Sequence, residues 1–171
     1  MNTLIISSSK SQNSKSAILC YEVANILKKK GAECNIIDIR NISIVPTHDE
    51  VTKSMKMLEK KIKDADNIII GMGIHCYSIN DSLKILLDNC FSEATGKFYG
   101  ILCAAGGDRS YLSTMHLTQI CMNQWRMIQL PRIVYATKSD FKNNIISSNE
   151  VKERIKLFCE DFLLIGNKLL N

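Results

Sequence analysis

The stretch Asn67-Ile68-Ile69-Ile70-Gly71-Met72-Gly73-Ile74-His75-Cys76-Tyr77-Ser78-Ile79-Asn80-Asp81-Ser82-Leu83-Lys84 decides the reading of the fold. It opens on consecutive isoleucines. A short unbroken apolar run that ends in glycine is the pattern of a strand buried on both faces, as in a parallel sheet. We therefore read Asn67 to Gly71 as a strand. Asp81 to Cys90 then carries Leu83, Leu86 and Leu87 at helical spacing. A buried strand, a connection and a helix together form most of a right-handed crossover unit.

The same alternation extends in both directions. Upstream, Thr3 to Ser7 reads as a first strand and Asn13 to Lys30 as a helix. Its end is marked by Lys28-Lys29-Lys30 followed by Gly31, cations on the negative end of the helix dipole and then a helix stop. Cys34 to Ile39 is the second strand, and Asp49 to Asp64 carries Val51, Met55, Leu58 and Ile62 on one helical face. Downstream, Phe98 to Ala104 is a fourth strand, Tyr111 to Ile128 a helix and Arg132 to Ala136 a fifth strand. Ser147 to Asn149 precedes Glu150 at capping-box spacing. The last helix repeats Val151, Ile155, Phe158, Phe162, Ile165 and Leu169. Strict alternation predicts an α/β fold: a doubly wound, five-stranded parallel sheet of order 2-1-3-4-5, helices on both faces, one domain over residues 1–171.

Composition agrees and excludes several classes. The chain has 171 residues, 46% hydrophobic and 23% charged, with 2 Pro and 8 Gly, which is not the signature of a disordered chain. Its 7 cysteines are odd in number, scattered and without a CxxC pair, against a disulfide framework or a structural zinc site. No metal is expected. The net charge of +5 lies largely in lysines on predicted helices, without the aromatic or arginine partners of a nucleic-acid surface. No apolar run reaches the roughly 18 residues of a membrane span. The N-terminus reads as a strand rather than a signal peptide, so the cytoplasm is the default expectation.

A doubly wound sheet binds ligands beyond the carboxyl ends of its strands. The expected loops there are Ser7 to Ser16, Gly71 to Asp81 and Ala104 to Ser110. The first, Ser7-Ser8-Ser9-Lys10-Ser11-Gln12-Asn13-Ser14-Lys15-Ser16, offers hydroxyls beside a helix N-terminus, a phosphate site in physical terms. It has no glycine, so it is neither a Walker loop nor GxGxxG. A polar loop with a serine N-cap is the plain alternative. The second loop sets Ile74, His75 and Tyr77 where an ordinary connection would be polar; these residues suit a flat apolar ligand or the sheet edge. The third, Ala104-Ala105-Gly106-Gly107-Asp108-Arg109, lets backbone approach a ligand closely or simply turns.

Taken together, these loops resemble the NADPH-dependent FMN reductase family within the flavodoxin-like fold, over residues 3 to about 136. The family's first loop, GSxRxxS, is matched by Ser8 in the glycine place, Ser9, Ser11 in the arginine place, and Ser14. Gly73 to Asp88 lies without a gap over the second signature, roughly PVYNGSIPGxLKNxLDW; Ser78-Ile79, Leu83-Lys84 and Leu87-Asp88 match directly. Ala65-Asp66-Asn67-Ile68 matches its lead-in, and Gly96-Lys97 through Gly106-Gly107 the third. The sequence departs from the pattern at Ser11, at Gly73-Ile74-His75-Cys76, at Asn80-Asp81 and at Asn89.

The resemblance implies an FMN-binding oxidoreductase that takes hydride from NADPH or NADH and passes electrons to a flavin, quinone or similar small molecule, as a homodimer or homotetramer. Ser9, Ser14 and Ser16 would hold the phosphate, with Ser7, Ser11 and Lys15 beside them. Gly73, Ile74, His75, Cys76, Tyr77 and Ser78 would edge the ring system, and Ala105, Gly106 and Gly107 its far side. No catalytic side chain is expected, because the cofactor carries the chemistry. Other readings are an FMN-binding electron-transfer or sensing module without its own nicotinamide site, and a flavodoxin-like domain without flavin. The basic charge weighs against an electron carrier that docks through an acidic surface, and serines stand where a receiver domain needs acidic residues.

Overall fold

The computed structural model describes residues 1–170; Asn171, the last residue of the expected domain, lies outside the described residues. Strand β1 (Asn2–Ser7) leads through α1 (Lys15–Lys29) to β2 (Glu33–Asp38) and α2 (Lys53–Asp64). Strand β3 (Asn67–His75) turns back as the short β4 (Ser78–Ile79) before α3 (Asp81–Cys90). Then follow β5 (Phe98–Ala105), α4 (Thr114–Trp125), β6 (Ile128–Gln129), β7 (Val134–Thr137), the hairpin β8 (Phe141–Lys142) and β9 (Ile145–Ile146), and α5 (Asn149–Leu170).

The main sheet runs β2-β1-β3-β5, with β6 and β7 both on the outer edge of β5; every pairing is parallel except β3 with β4. The expected five strands in order 2-1-3-4-5 therefore need correction to seven strands, read along the sheet as β2-β1-β3-β5-β7. The strands expected as fourth and fifth are the fifth and seventh in the chain, because two-residue strands intervene. The outer edge is split for a local reason. Ile128 and Gln129 pair with Phe98 and Tyr99, and the Leu130 amide still donates to the Tyr99 carbonyl at 2.7 Å. Pro131 then has no N–H to offer, and pairing resumes at Val134 opposite Leu102.

Other boundaries moved as well. The second helix begins at Lys53 under the Thr52 cap, later than the expected Asp49. The fourth begins at Thr114, after tight turns over Asp108 to Ser113, rather than at Tyr111. The third strand passes the glycines and runs to His75, so part of the expected second loop is a β-hairpin. Gly31 does end the first helix, at a φ of +84°, with Ala32 N–H donating to the Leu27 carbonyl.

Strand side chains alternate between two apolar layers. Leu4, Ile6, Ile68, Ile70, Tyr99 and Ile101 pack with α2, α3 and α4. Ile5, Ile69, Leu102 and Val134 pack with α1 and α5. All three central isoleucines of β3 are fully buried, as the opening stretch predicts. Helices thus cover both faces, in a flavodoxin-like arrangement.

Glycine allows α1 and α5 to lie close to the sheet. A Cβ at Gly71 would meet the Cys20 Sγ of α1 at 2.1 Å, and one at Gly100 would meet the Phe158 ring of α5 at 2.5 Å. Gly71→Ala is therefore expected to destabilise the chain by about 1–3 kcal/mol through overpacking. In urea unfolding, Gly71→Ala with Cys20→Ala should lose less than the sum of the single losses, because the thiol is the nearest obstacle. Strictly additive losses would show that this contact does not set the spacing.

Candidate functional site

The loop after β1 wraps the N-terminus of α1. Ser14 is its N-cap, accepting from the Ala17 N–H at 3.1 Å, and its Oγ lies 3.1 Å from the Ser16 Oγ. The Ser11 N–H donates to the Ser9 Oγ at 3.3 Å, and the Ser14 N–H to the Ser11 carbonyl at 3.2 Å. The opening amides of a helix have no intrahelical acceptor and carry its positive dipole end. Ser9, Ser11, Asn13, Ser14, Lys15 and Ser16 line one side of a narrow cavity of about 210 Å³. Gly73, Ile74, His75, Ala104, Ala105 and Lys138 close its other sides. Ser7 does not reach this space: its hydroxyl is buried beneath the loop without a hydrogen-bond partner.

The first loop is tied to β3 and β4 by Asn80 and Ser8. The Ser8 hydroxyl donates to the Gly71 carbonyl at 2.7 Å, and the Ser8 amide donates to the same carbonyl at 3.0 Å. The Asn80 Nδ2 donates to the Ser8 carbonyl at 2.8 Å, and its Oδ1 accepts from the Gly73 N–H at 3.1 Å. Ser82 Oγ donates to the Ser8 carbonyl at 2.8 Å. Asn80, Ser8 and Ser82 are all buried, so the cluster is shielded from water.

At the hairpin tip, Cys76 and Tyr77 have φ of +49° and +59°, and His75 pairs with Ser78. This is the two-residue type I′ geometry, built here without glycine or asparagine. Cys76 and Tyr77 stand exposed at the tip, and His75 Nδ1 lies 3.8 Å from Asp81 Oδ1. Ser78 lines neither cavity; its Oγ is 3.1 Å from His116 Nδ1 on α4. The other six cysteines are buried, and burial pushes the thiols of Cys20, Cys90, Cys103, Cys121 and Cys159 up to about 12.

Beyond Ile74 a wider cavity of about 490 Å³ opens between the hairpin and the loop after β5. Ile74, Cys76 and Tyr77 line one side, and Gly106, Gly107 and Arg109 the other. A Cβ on Gly106 or Gly107 would meet no atom of the chain within 4 Å, so the chain's own packing does not demand glycine there. The loop is held by Tyr135, whose hydroxyl donates to the Gly107 carbonyl at 2.6 Å and lies 2.9 Å from Ser110 Oγ. A larger cavity, about 700 Å³, lies between α3 and α4, lined by amides and the Lys84–Asp88 ion pair. It sits beside the sheet rather than at the strand ends, and none of the three loops reaches it.

The structure thus brings the three predicted loops to one place. It adds residues the sequence reading did not single out for the site: Asn80, Tyr135 and Lys138. Asn80 lies inside the matched signature but at one of its departures. Nothing in the local sequence marks Tyr135 or Lys138. A wide recess edged by Ile74, Cys76 and Tyr77 beside a hydroxyl-lined one fits a cofactor with a flat ring at one end and a phosphate at the other. Among the described residues, no cluster of His, Cys, Asp or Glu is arranged to hold a metal ion, and no helix is long and apolar enough to cross a membrane.

Comparison with known proteins agrees with this geometry. The family model for NADPH-dependent FMN reductase matches residues 1–142. No curated protein matches the sequence. Among solved structures, an NADH:FMN oxidoreductase (EmoB, apo form) superposes with a TM-score of 0.82 at 18% identity, covering 95% of this chain and 88% of that one. The flavoenzyme NAD(P)H:(acceptor) oxidoreductase FerB from Paracoccus denitrificans gives 0.77 at 13% identity, covering 98% and 97%. A flavodoxin from the domain Archaea gives 0.68 at 13%, covering 100% of both chains. At these identities the structural likeness speaks for the flavodoxin-like fold, while the sequence match carries the family: the chain belongs to the NADPH-dependent FMN reductases and is an oxidoreductase of that type.

Proposed function

We propose that residues 1–171 act as one domain that binds FMN across the two cavities, phosphate in the narrow one and ring system in the wide one. The observation that carries this reading is the division of chemistry along the site. Hydroxyls and a helix N-terminus line one end; Ile74, Cys76, Tyr77 and the Gly106-Gly107 backbone line the other together with Asp108, Arg109 and Ser110, and Ile74 borders both. Ser9, Ser11, Ser14 and Ser16 hold the phosphate, with the Lys15 amide at the start of α1 beside them; Ile74, Cys76 and Tyr77 edge the ring, while Gly73 and His75, expected there, line the narrow cavity instead. FMN, when bound, supplies the hydride-accepting and electron-donating chemistry. Gly106 and Gly107 offer backbone donors that suit a ring edge gaining negative charge, while Ala105, expected beside them, lines the narrow cavity. Asn80 holds the two sides at a fixed separation.

The electron donor is NADPH or NADH, and the acceptor is a small molecule such as a flavin or quinone. The wide cavity is open enough to admit a second planar molecule against the ring. Leu112, Met115 and Met122 are 75%, 52% and 54% exposed along α4 and the turns before it, which supports a homodimer or homotetramer formed through this face. Six buried free thiols and one exposed thiol suit a reducing compartment such as the cytoplasm.

The test is an absorbance spectrum after loading with FMN and desalting, followed by anaerobic mixing with NADPH and with NADH. One retained flavin per chain, bleached by either nicotinamide, is the expected outcome. Retention without bleaching would leave a flavin-binding electron-transfer or sensing module; no retention would remove the cofactor reading. Ser14→Ala, which deletes both a helix cap and a phosphate donor, should raise the FMN dissociation constant about tenfold and cost roughly 1 kcal/mol of stability. Asn80→Ala leaves the Gly73 N–H without its acceptor and the Ser8 carbonyl with one donor fewer. It should lower the unfolding free energy by about 2 kcal/mol and blur the visible circular dichroism of bound flavin. Unchanged dichroism would show that Asn80 does not position the ring.

A further inference from the structure

The FMN phosphate is a near-dianion at neutral pH, with a second pKa of about 6. The cations near its proposed seat are therefore worth accounting for one by one. Lys10 and Lys15 stand among the serines of the first loop in sequence. The structure commits both elsewhere. The Lys10 ammonium donates to the Ile42 carbonyl at 2.6 Å. The Lys15 ammonium donates to Asn144 Oδ1 at 2.6 Å and lies over the Phe141 ring, so the β8–β9 hairpin holds it. Arg40 reaches the same loop, with Nη1 on the Gln12 carbonyl at 3.1 Å, but its guanidinium is paired with Asp38. Burial works to raise the Asp38 carboxyl; the bonds from Arg40 and Tyr21 outweigh that and hold it below the usual range. That pair stays ionised and largely cancels its own charge. Arg109 lines the wide cavity, not the narrow one.

Lys138 is the exception. It lines the narrow cavity from the side opposite the serines, and its ammonium has no hydrogen-bond or ion-pair partner among the described residues. Its backbone is well placed for the task. Ala105 pairs with Thr137, so Lys138 stands one residue past the carboxyl end of β7, beside the end of β5. The turn it begins is fixed: Asp140 Oδ2 accepts from the Thr137 N–H at 2.7 Å and from the Thr137 hydroxyl at 3.0 Å. The Asp140 carbonyl in turn accepts from the Ser147 amide at 2.8 Å. The one carboxylate on this turn is thereby engaged by Thr137 and not by Lys138. An anchored backbone, a free ammonium and a hydroxyl-lined recess opposite form an incomplete anion clamp.

We propose that Lys138 supplies the principal counter-charge to the cofactor phosphate, and so makes the chain discriminate FMN from riboflavin. The inference rests on the proposed FMN site and names the residue that selects the phosphorylated form. The serines and helix amides provide neutral donors from one side; Lys138 provides the full positive charge from the other. A phosphate seated between them bridges the loops after β1 and β7.

The experiment compares dissociation constants for FMN and riboflavin, by flavin fluorescence quenching, in the wild-type chain and in Lys138→Met, Lys138→Arg and Lys10→Met. Lys138→Met is expected to weaken FMN about tenfold, leave riboflavin unchanged within twofold, and flatten the salt dependence of FMN binding. Lys138→Arg should restore most of the preference, and Lys10→Met should keep it. Lys138 and Lys10 are both exposed, so thermal unfolding should change little in all three variants. A wild-type chain that binds FMN while Lys138→Met retains the full preference overturns the Lys138 role and leaves the site standing. A wild-type chain that binds neither flavin overturns the cofactor reading and this inference with it.

Discussion

One buried carboxamide joins the parts of this site. Asn80 reaches from the start of α3 to the Ser8 carbonyl with its Nδ2 and to the Gly73 amide with its Oδ1, while Ser8 closes on the Gly71 carbonyl. The Asn80, Ser8 and Ser82 side chains are buried, so breaking one of their bonds leaves a buried polar group unsatisfied rather than hydrated. The loop after β1 and the β3–β4 hairpin are therefore one unit. Their separation is fixed before any ligand arrives, which lowers the ordering cost of binding.

The frame beneath that unit was legible because parallel sheets leave a coarse signature. Ile68, Ile69 and Ile70 face alternate layers and need apolar neighbours on both, so an unbroken apolar run identifies the strand without reference to the rest of the chain. The three loops at the carboxyl ends of the strands follow once the alternation is read. What escaped the sequence was set by contacts between distant segments. Extension of β3 past Gly71 depends on pairing with β5 as far as Gly73 opposite Ala104. The split of the outer edge depends on where Pro131 meets the sheet. Asn80, Tyr135 and Lys138 acquire their roles only through segments dozens of residues away, and no local pattern reports such contacts.

Charge is hard to place from sequence for the same reason. Lys10 and Lys15 sit among the serines of the first loop, yet long flexible side chains settle on whichever acceptor lies within reach. Here those acceptors are the Ile42 carbonyl and Asn144. Proximity along the chain fixes the backbone of the loop and its hydroxyls, which have little freedom. It does not fix where an ammonium several bonds away will rest. A short side chain in a phosphate loop is a stronger sequence signal than a lysine beside it.

The chain builds the same tight turn twice, with opposite regard for cost. Asn143 and Asn144 take φ of +50° and +59° between β8 and β9, and asparagine tolerates that region. Cys76 and Tyr77 take nearly the same angles at the β3–β4 tip, where a left-handed backbone costs an ordinary residue roughly 1–2 kcal/mol. The Asn143–Asn144 turn shows that this sequence can place suitable residues when only the turn matters. At the tip beside the wide cavity it does not. Local rules are broken where side chains have another task, and here the cysteine and the tyrosine line the recess proposed for the ring. Under the proposed FMN reading, what these side chains present to the ring outweighs the ease of the turn that carries them.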